Sequence, residues 1–197
     1  MKEEQVQELL YQALETEQGG QKIYETALTC AQNDELKEEW SKYLEQTREH
    51  EQYVLDVMRT FGLDPKRQTP GREVVRHLGE SLIKAMQMAK KSGPSEAAEI
   101  VAAECVVLAE TKDHQNWSLI SDVGEAMKGE KGKALKDAVS KVEDQEDEHL
   151  YHTRGWSREL WIGSLGMPAV IPPPEEEKKV KTMIGAARAE QSRGDML

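Results

Sequence analysis

Hydrophobic residues recur along most of the chain at spacings of three and four, which is the period of one face of an α-helix. No stretch sustains the alternation of apolar and polar residues that is typical of a half-buried strand. Turn-forming residues interrupt the helical pattern at only a few places. The pattern therefore predicts an all-α protein with helices over about residues 3–31, 35–61, 73–91, 95–127 and 133–161.

The predicted helix ends carry residues that favour caps and turns. Asn33 is placed to cap the second helix, and Ser95 to cap the helix that begins at about residue 95. Gly62 is expected to end the second helix. Gly129 and Gly132 predict a tight reversal before the last long helix.

The lengths of the connections indicate how the helices are arranged. Four long helices form two short-looped pairs, and a link over about residues 65–94, which contains the shorter helix, joins the pairs. An antiparallel four-helix bundle with a single long crossover needs such a link, whereas an up-down-up-down bundle does not. We therefore predict a bundle over residues 1–162 and a Pro/Gly-rich tail over 163–197, with a short helix at about 175–190.

Each long helix presents an apolar seam to the predicted bundle axis, and every seam turns polar at its centre. At 3-4 spacing the central polar residues are Glu17 in the first helix, Thr47 and His50 in the second, Glu110 and Asp113 in the third long helix, and Glu146 and His149 in the fourth.

These polar residues are expected to lie at one depth. Glu17 is 16 residues before the turn at Asn33 and His50 is 17 after it, so the two side chains should meet. Counting from the second reversal brings Glu110, Glu146 and His149 to a common level in the same way. Buried carboxylates without a partner are strongly unfavourable, and no Lys or Arg lies on the seams near them. The sequence therefore predicts a bound multivalent cation, for which carboxylate and imidazole ligands favour iron, manganese or zinc.

The spacing of these residues resembles the ferritin-like superfamily of di-iron carboxylate proteins, which contains rubrerythrin, bacterioferritin and small stress-induced bacterial relatives. The resemblance covers roughly residues 5–160. Glu17 is followed seven residues later by Tyr24, as in the family, and Glu110 to Trp117 repeats that spacing. Residues 146–149, Glu-Asp-Glu-His, are similar to the family's ExxH motif.

The resemblance implies a ferritin-like fold and a centre with two metal ions, iron first and manganese or zinc as alternatives. It also implies oxidation of Fe(II) by O₂ or peroxide, as in iron or oxidative-stress handling, with no catalytic groups beyond the ligands. By position, the implied ligands are the carboxylates of Glu17 and Glu110, the imidazoles of His50 and His149, and a bridging carboxylate from Glu146.

The second helix departs from the family pattern. Its ExxH position reads Thr-Arg-Glu-His over residues 47–50, so Thr47 stands where a second bridging carboxylate is expected. Glu49 cannot replace it, because it lies about 100° around the helix from His50. We hypothesise that Asp113, on the seam of another helix, supplies the missing oxygen. The paired CxxC module of full rubrerythrins is absent from this sequence.

Charge and composition narrow the set of partners. The chain carries 26 Lys+Arg and 37 Asp+Glu, a formal charge of −11, which argues against nucleic acid and favours cations. A polar start and no apolar run of roughly 18–20 residues predict a cytoplasmic protein without a membrane partner. Cys30 and Cys105 form no CxxC pair and are expected to be free thiols. The crossover helix and the apolar positions of the tail favour a homodimer.

Other features have plainer interpretations. His114 and His152 lie beside the seams and are interpreted as surface or supporting residues, and His77 is expected to be exposed. Residues 161–166, Trp-Ile-Gly-Ser-Leu-Gly, are similar to tags that dock ferritin-like cargo into encapsulin shells. Such tags normally end a chain, whereas 31 residues follow this one, so a helix-ending loop is the preferred interpretation and an encapsulin shell the alternative partner.

Two further functions stay open from the sequence. One is a ferritin-like scaffold whose degraded site binds one ion or none and which acts in dimerisation or stress response without catalysis. The other is an unrelated helical adaptor whose polar seam residues pair with each other.

Overall fold

The computed structural model describes residues 1–197, and its only secondary structure is helical. None of the helices combines the length and the apolar character needed to cross a membrane. The helices are α1 (Glu3–Leu28), α2 (Asp34–Phe61), α3 (Pro70–Ser92), α4 (Ser95–Ala126), α5 (Gly129–Ser164), α6 (Pro174–Glu177) and α7 (Met183–Met196).

Four long helices surround a common core. Helix α1 contacts α2 and α4, and α5 contacts the same two helices from the other side. Short turns join α1 to α2 and α4 to α5, so the members of each pair run antiparallel. Helix α3 connects the pairs and packs against α1 and α4. The predicted all-α class and the helix between the pairs are confirmed.

Capping explains where several helices begin and end. The Asn33 side chain accepts hydrogen bonds from the backbone N–H groups of Glu35 and Leu36, so the predicted cap of α2 is confirmed. Gly62 ends α2 in the left-handed conformation, with φ +68°. Helix α3 begins three residues before its predicted start, because Thr69 caps it and Pro70 occupies its first turn.

Three expectations about the ends of helices were wrong, although α4 begins at residue 95 as predicted. Ser95 is the first residue of α4 and not its cap, since Pro94 precedes the helix and no side chain caps it. Helix α5 begins at Gly129 rather than near residue 133, so Gly132 lies inside the helix instead of in the reversal. The tail contains two helices instead of one over 175–190, because Lys179 adopts a positive φ of 50° and Thr182 caps a new helix.

Gly132 is required by close packing, and its replacement gives a test of this part of the fold. A Cβ at Gly132 would lie 2.0 Å from the Met127 carbonyl oxygen. We expect Gly132→Ala to lower the free energy of unfolding by about 1–3 kcal/mol, the usual cost of overpacking, in chemical denaturation. The control is Gly19→Ala, because nothing lies within 4 Å of that Cβ and alanine favours a helix. Equal stability of the two variants would contradict the close packing of Gly132 against Met127.

The core consists of two apolar clusters with a polar layer between them. One cluster extends from Ile23 in α1 to Trp156 in α5, and includes the buried free thiols Cys30 and Cys105. The other extends from Val6 in α1 to Val142 in α5. Both clusters leave out the middle of every long helix, which is where the sequence predicts polar residues. We call this layer the polar belt.

The tail folds back on the bundle. Val180 and Ala189 form a small apolar cluster with Tyr151 of α5. The Glu159 carboxylate of α5 accepts a hydrogen bond from the Val170 N–H and pairs with Arg193 of α7. The segment at 161–166 ends α5, which continues to Ser164.

Candidate metal centre

The polar belt consists of six side chains from all four long helices. Their exposed fractions are between 0 and 4%, and they are the six predicted ligands: Glu17, His50, Glu110, Asp113, Glu146 and His149.

The atoms of the belt converge on the Glu146 carboxylate. His50 Nδ1 lies 3.0 Å from Glu146 Oε1, and His149 Nδ1 lies 3.6 Å from the same oxygen. His149 Nδ1 is also 3.5 Å from Glu110 Oε2, and His50 Nδ1 is 4.0 Å from Glu17 Oε2. The helix counting that predicted a common depth is consistent with these contacts.

Two groups of three donors form within the belt. His50, Glu146 and His149 each offer an atom within 4.8 Å of the others, and so do Glu17, Asp113 and Glu146. Glu146 belongs to both groups, so two neighbouring sites share one carboxylate. These buried His/Glu clusters could hold metal ions.

The belt contains an unusual concentration of unsatisfied polar atoms. Buried polar groups in proteins almost always have a hydrogen-bond partner, and each exception costs about 1–3 kcal/mol. Seven buried atoms of the belt have none: Glu17 Oε2, His50 Nδ1, Glu110 Oε2, Asp113 Oδ1, Glu146 Oε1 and Oε2, and His149 Nδ1. All seven are metal-ligand atom types, so the donor set fits a cation.

Two glutamines orient the two histidines in a reciprocal manner. His50 Nε2 lies 2.7 Å from Gln145 Oε1, and His149 Nε2 lies 2.9 Å from Gln46 Oε1. Because an amide oxygen only accepts, each Nε2 carries the proton and each Nδ1 directs a lone pair into the belt. Neither glutamine was predicted from the sequence, although each lies four residues before the histidine of its own helix.

Aromatic residues surround the belt. Trp117 Nε1 donates a hydrogen bond of 2.8 Å to Glu17 Oε1, which leaves Glu17 Oε2 free to face the belt. Tyr24 is buried, and its hydroxyl has no partner. The Tyr43 ring lies 4.2 Å from the His149 ring between centroids. The contacts of Trp117 and Tyr43 therefore hold Glu17 and His149 from neighbouring helices.

The buried carboxylates of the belt are unfavourable in their charged form when no cation balances them. Burial, and then Glu110, raise the pKa of Glu146 to about 8. Burial, followed by repulsion from neighbouring carboxylates, also raises the pKa of Glu17 and of Asp113. Burial lowers the pKa of His50, which keeps its imidazole neutral and able to act as a ligand. Protons therefore take the place of a cation when none is bound.

The surroundings of Thr47 bear on the carboxylate that α2 lacks. The Thr47 hydroxyl donates to the Tyr43 carbonyl oxygen at 2.9 Å, and threonine supplies no carboxylate at this position. A Cβ at Gly20 would lie 3.3 Å from the Thr47 methyl group, which shows that Thr47 faces α1. Glu49 is exposed, as its helix position indicates. Asp113 lies with Glu17 and Glu146 in the second donor group.

The three other histidines differ from one another. His77 is exposed, as predicted, and the partly buried His114 pairs with Asp147 at 2.7 Å. His152 was interpreted as a surface or supporting residue, but it is only 5% exposed. Of the two interpretations, a surface position is wrong, because the tail covers this histidine. Glu176 Oε2 of α6 lies 3.1 Å from His152 Nδ1.

Two openings reach the belt from different sides. A polar cleft of about 190 Å³ between α4 and α5 has Glu146 and Trp117 at its buried end and Asp122, Glu143 and Asp147 nearer the surface. A mainly apolar cavity of about 320 Å³ lies between α1, α3 and α4.

The apolar cavity has a polar inner end. Ile23, Val75 and Leu82 are among its lining residues, and Glu110 and Asp113 close it toward the belt. Cations and small apolar molecules would therefore have separate routes to the belt, the first to Glu146 and the second to Glu110 and Asp113.

Comparisons of the chain with protein-family models, with curated proteins and with solved structures found no match. The resemblance to the ferritin-like superfamily therefore stays a prediction from the residues themselves.

Proposed function

We propose that this chain is a ferritin-like metal protein that binds two transition-metal ions in the polar belt and oxidises Fe(II) with O₂ or peroxide. The observation that carries the proposal is the convergence of seven unpartnered, buried donor atoms around Glu146. A buried belt of this composition is strongly unfavourable without a cation, which supports metal binding over internal pairing of the same groups.

The donor set supports iron, with manganese and zinc as alternatives. It consists of carboxylate oxygens and imidazole nitrogens, and the two thiols, Cys30 and Cys105, belong to an apolar cluster instead. His50 and His149 would hold one ion, Glu17 and Asp113 the other, and Glu146 both. The contacts of α1, α2, α4 and α5, with α3 between the pairs, are compatible with ferritin-like connectivity.

The surroundings of the belt support a reaction between a cation and a small apolar oxidant. Iron bound there supplies the electrons that reduce O₂ or peroxide. The acidic residues of the polar cleft attract cations toward Glu146, and the apolar cavity admits O₂. Trp117 and the two glutamines hold the ligand atoms in place. We propose a role in iron or oxidative-stress handling on this basis.

Elemental analysis tests the proposal. Protein produced in iron-supplemented medium is expected to carry two more iron ions per chain than the Glu146→Gln variant, because that residue belongs to both donor groups. The control is Asp144→Asn, which changes an exposed carboxylate two residues earlier on α5. An equal iron content in the wild type and in Glu146→Gln would remove the proposal.

A second candidate is a scaffold of the same fold that binds one ion or none. The threonine at position 47 favours it, because α2 thereby lacks a bridging carboxylate. This function predicts at most one belt ion per chain and no acceleration of Fe(II) oxidation by the protein. A homodimer is compatible with either function and is tested by sedimentation of the full chain.

A further inference from the structure

A second cluster of possible ligands lies outside the belt, where the tail crosses the bundle. His152 Nδ1 is 3.1 Å from Glu39 Oε1 and 3.1 Å from Glu176 Oε2. The three residues come from α5, α2 and α6. Glu39 and His152 are buried, and Glu176 is half-buried. None of them belongs to the donor groups of the belt.

We propose that Glu39, His152 and Glu176 form a separate site for one divalent transition-metal ion of the Zn²⁺ type. The three side chains offer ligand atoms that all lie within 4.8 Å of one another. Ligand atoms about 2.0–2.2 Å from one ion lie roughly 3 Å apart, which is the spacing from His152 Nδ1 to each carboxylate.

The cluster brings two carboxylates, those of Glu39 and Glu176, to one imidazole, that of His152. No Lys or Arg forms an ion pair with either carboxylate. An imidazolium at His152 balances one of the two negative charges, and Glu176 Oε2 has no hydrogen-bond partner. A divalent cation would balance both charges while His152 is neutral.

A surrounding group already orients one of these ligands. Trp156 Nε1 donates a hydrogen bond of 2.7 Å to Glu39 Oε2, so Glu39 Oε1 is the oxygen that faces His152. Ligands held by such contacts bind metal more tightly than mobile ones.

Glu176 is the ligand that would connect the tail to the bundle. It lies in α6, which follows the Pro-rich segment and contacts α5. An ion at this site would therefore join the tail to α2 and α5. We expect the metal to act as a clamp that stabilises the folded tail on the bundle.

Zn²⁺ titration of full-length protein with a disabled belt tests the site. The background is Glu146→Gln, and into it we introduce Glu176→Gln or, as a matched control, Glu177→Gln, the exposed next residue of α6. Calorimetry is expected to give one Zn²⁺ per chain with the control and at least about tenfold weaker binding with Glu176→Gln. Added Zn²⁺ should raise the Tm of the control only.

The possible outcomes separate this site from the belt. If the background binds no Zn²⁺, or if Glu176→Gln and Glu177→Gln bind it equally, the cluster is an ion pair of His152 with two glutamates and the proposal is overturned. The proposed metal binding of the belt is tested separately, by comparing the wild type with Glu146→Gln. Either proposal can therefore be overturned while the other stands.

Discussion

Metal-free Glu146→Gln is expected to be more stable than the metal-free wild type at pH 8, although the substitution removes the central ligand of the belt. The pKa of Glu146 is raised from 4.5 to about 8, chiefly by burial and then by Glu110. A carboxyl group with a raised pKa binds its proton more tightly in the folded state, so stability falls as the pH rises from about 4.5 to about 8. Glutamine stays neutral throughout this range.

The size of the effect follows from the pKa shift. A shift from 4.5 to about 8 corresponds to a change on the order of 4 kcal/mol in the free energy of unfolding. For a chain of this length, that is a difference on the order of 10 °C in Tm at pH 8, which should disappear near pH 4.5. Thermal unfolding followed by circular dichroism, in the presence of a chelator and at several pH values, measures it.

Loading with metal is expected to reverse the order of the two proteins. The wild type gains stability from a ligand that binds only its folded state, whereas the variant lacks the carboxylate shared by both donor groups. Asp144→Asn, the exposed control, should follow the wild type under both conditions. A metal-free Glu146→Gln that is no more stable than the wild type at pH 8 would show that the charge on Glu146 is already compensated within the protein.

The end of a helix was predictable from the sequence where the residue type found there has a single common role, such as capping a helix or ending it. Asn33 and Gly62 are such residues, because few alternatives satisfy the free backbone groups there. Gly132 has two possible roles, since glycine serves both sharp turns and close contacts between backbones. The sequence does not distinguish these roles, and only the packing against Met127 shows the second.

The position of the polar belt was predictable because helices are rigid. Counting residues from a turn gives depth in the bundle at a fixed rise, and it brought Glu17 and His50 to one level. The cluster at His152 could not be found in this way, because Glu176 reaches it from a tail whose course has no period. Helical periodicity relates residues within a helix and says nothing of an irregular segment that crosses it.

Asp113→Asn is expected to remove one of the two ions from the belt and to leave the other. Asp113 belongs only to the donor group of Glu17 and Glu146, whereas His50 and His149 form the other group with Glu146. Loss of a hydrogen bond to a metal ligand typically lowers the metal affinity about 10–100-fold. Loss of a direct ligand should therefore lower the affinity for the second ion by about 100-fold or more. Anaerobic Fe(II) titration should then give one tightly bound ion per chain, with slower Fe(II) oxidation once O₂ is admitted.

The control for this experiment is Glu125→Gln, which changes an exposed carboxylate on the same helix. It should retain two tightly bound ions and the wild-type rate of Fe(II) oxidation. Two tight ions in Asp113→Asn would mean that Asp113 is not a ligand. The second ion would then depend on the carboxylates of Glu17, Glu110 and Glu146 alone.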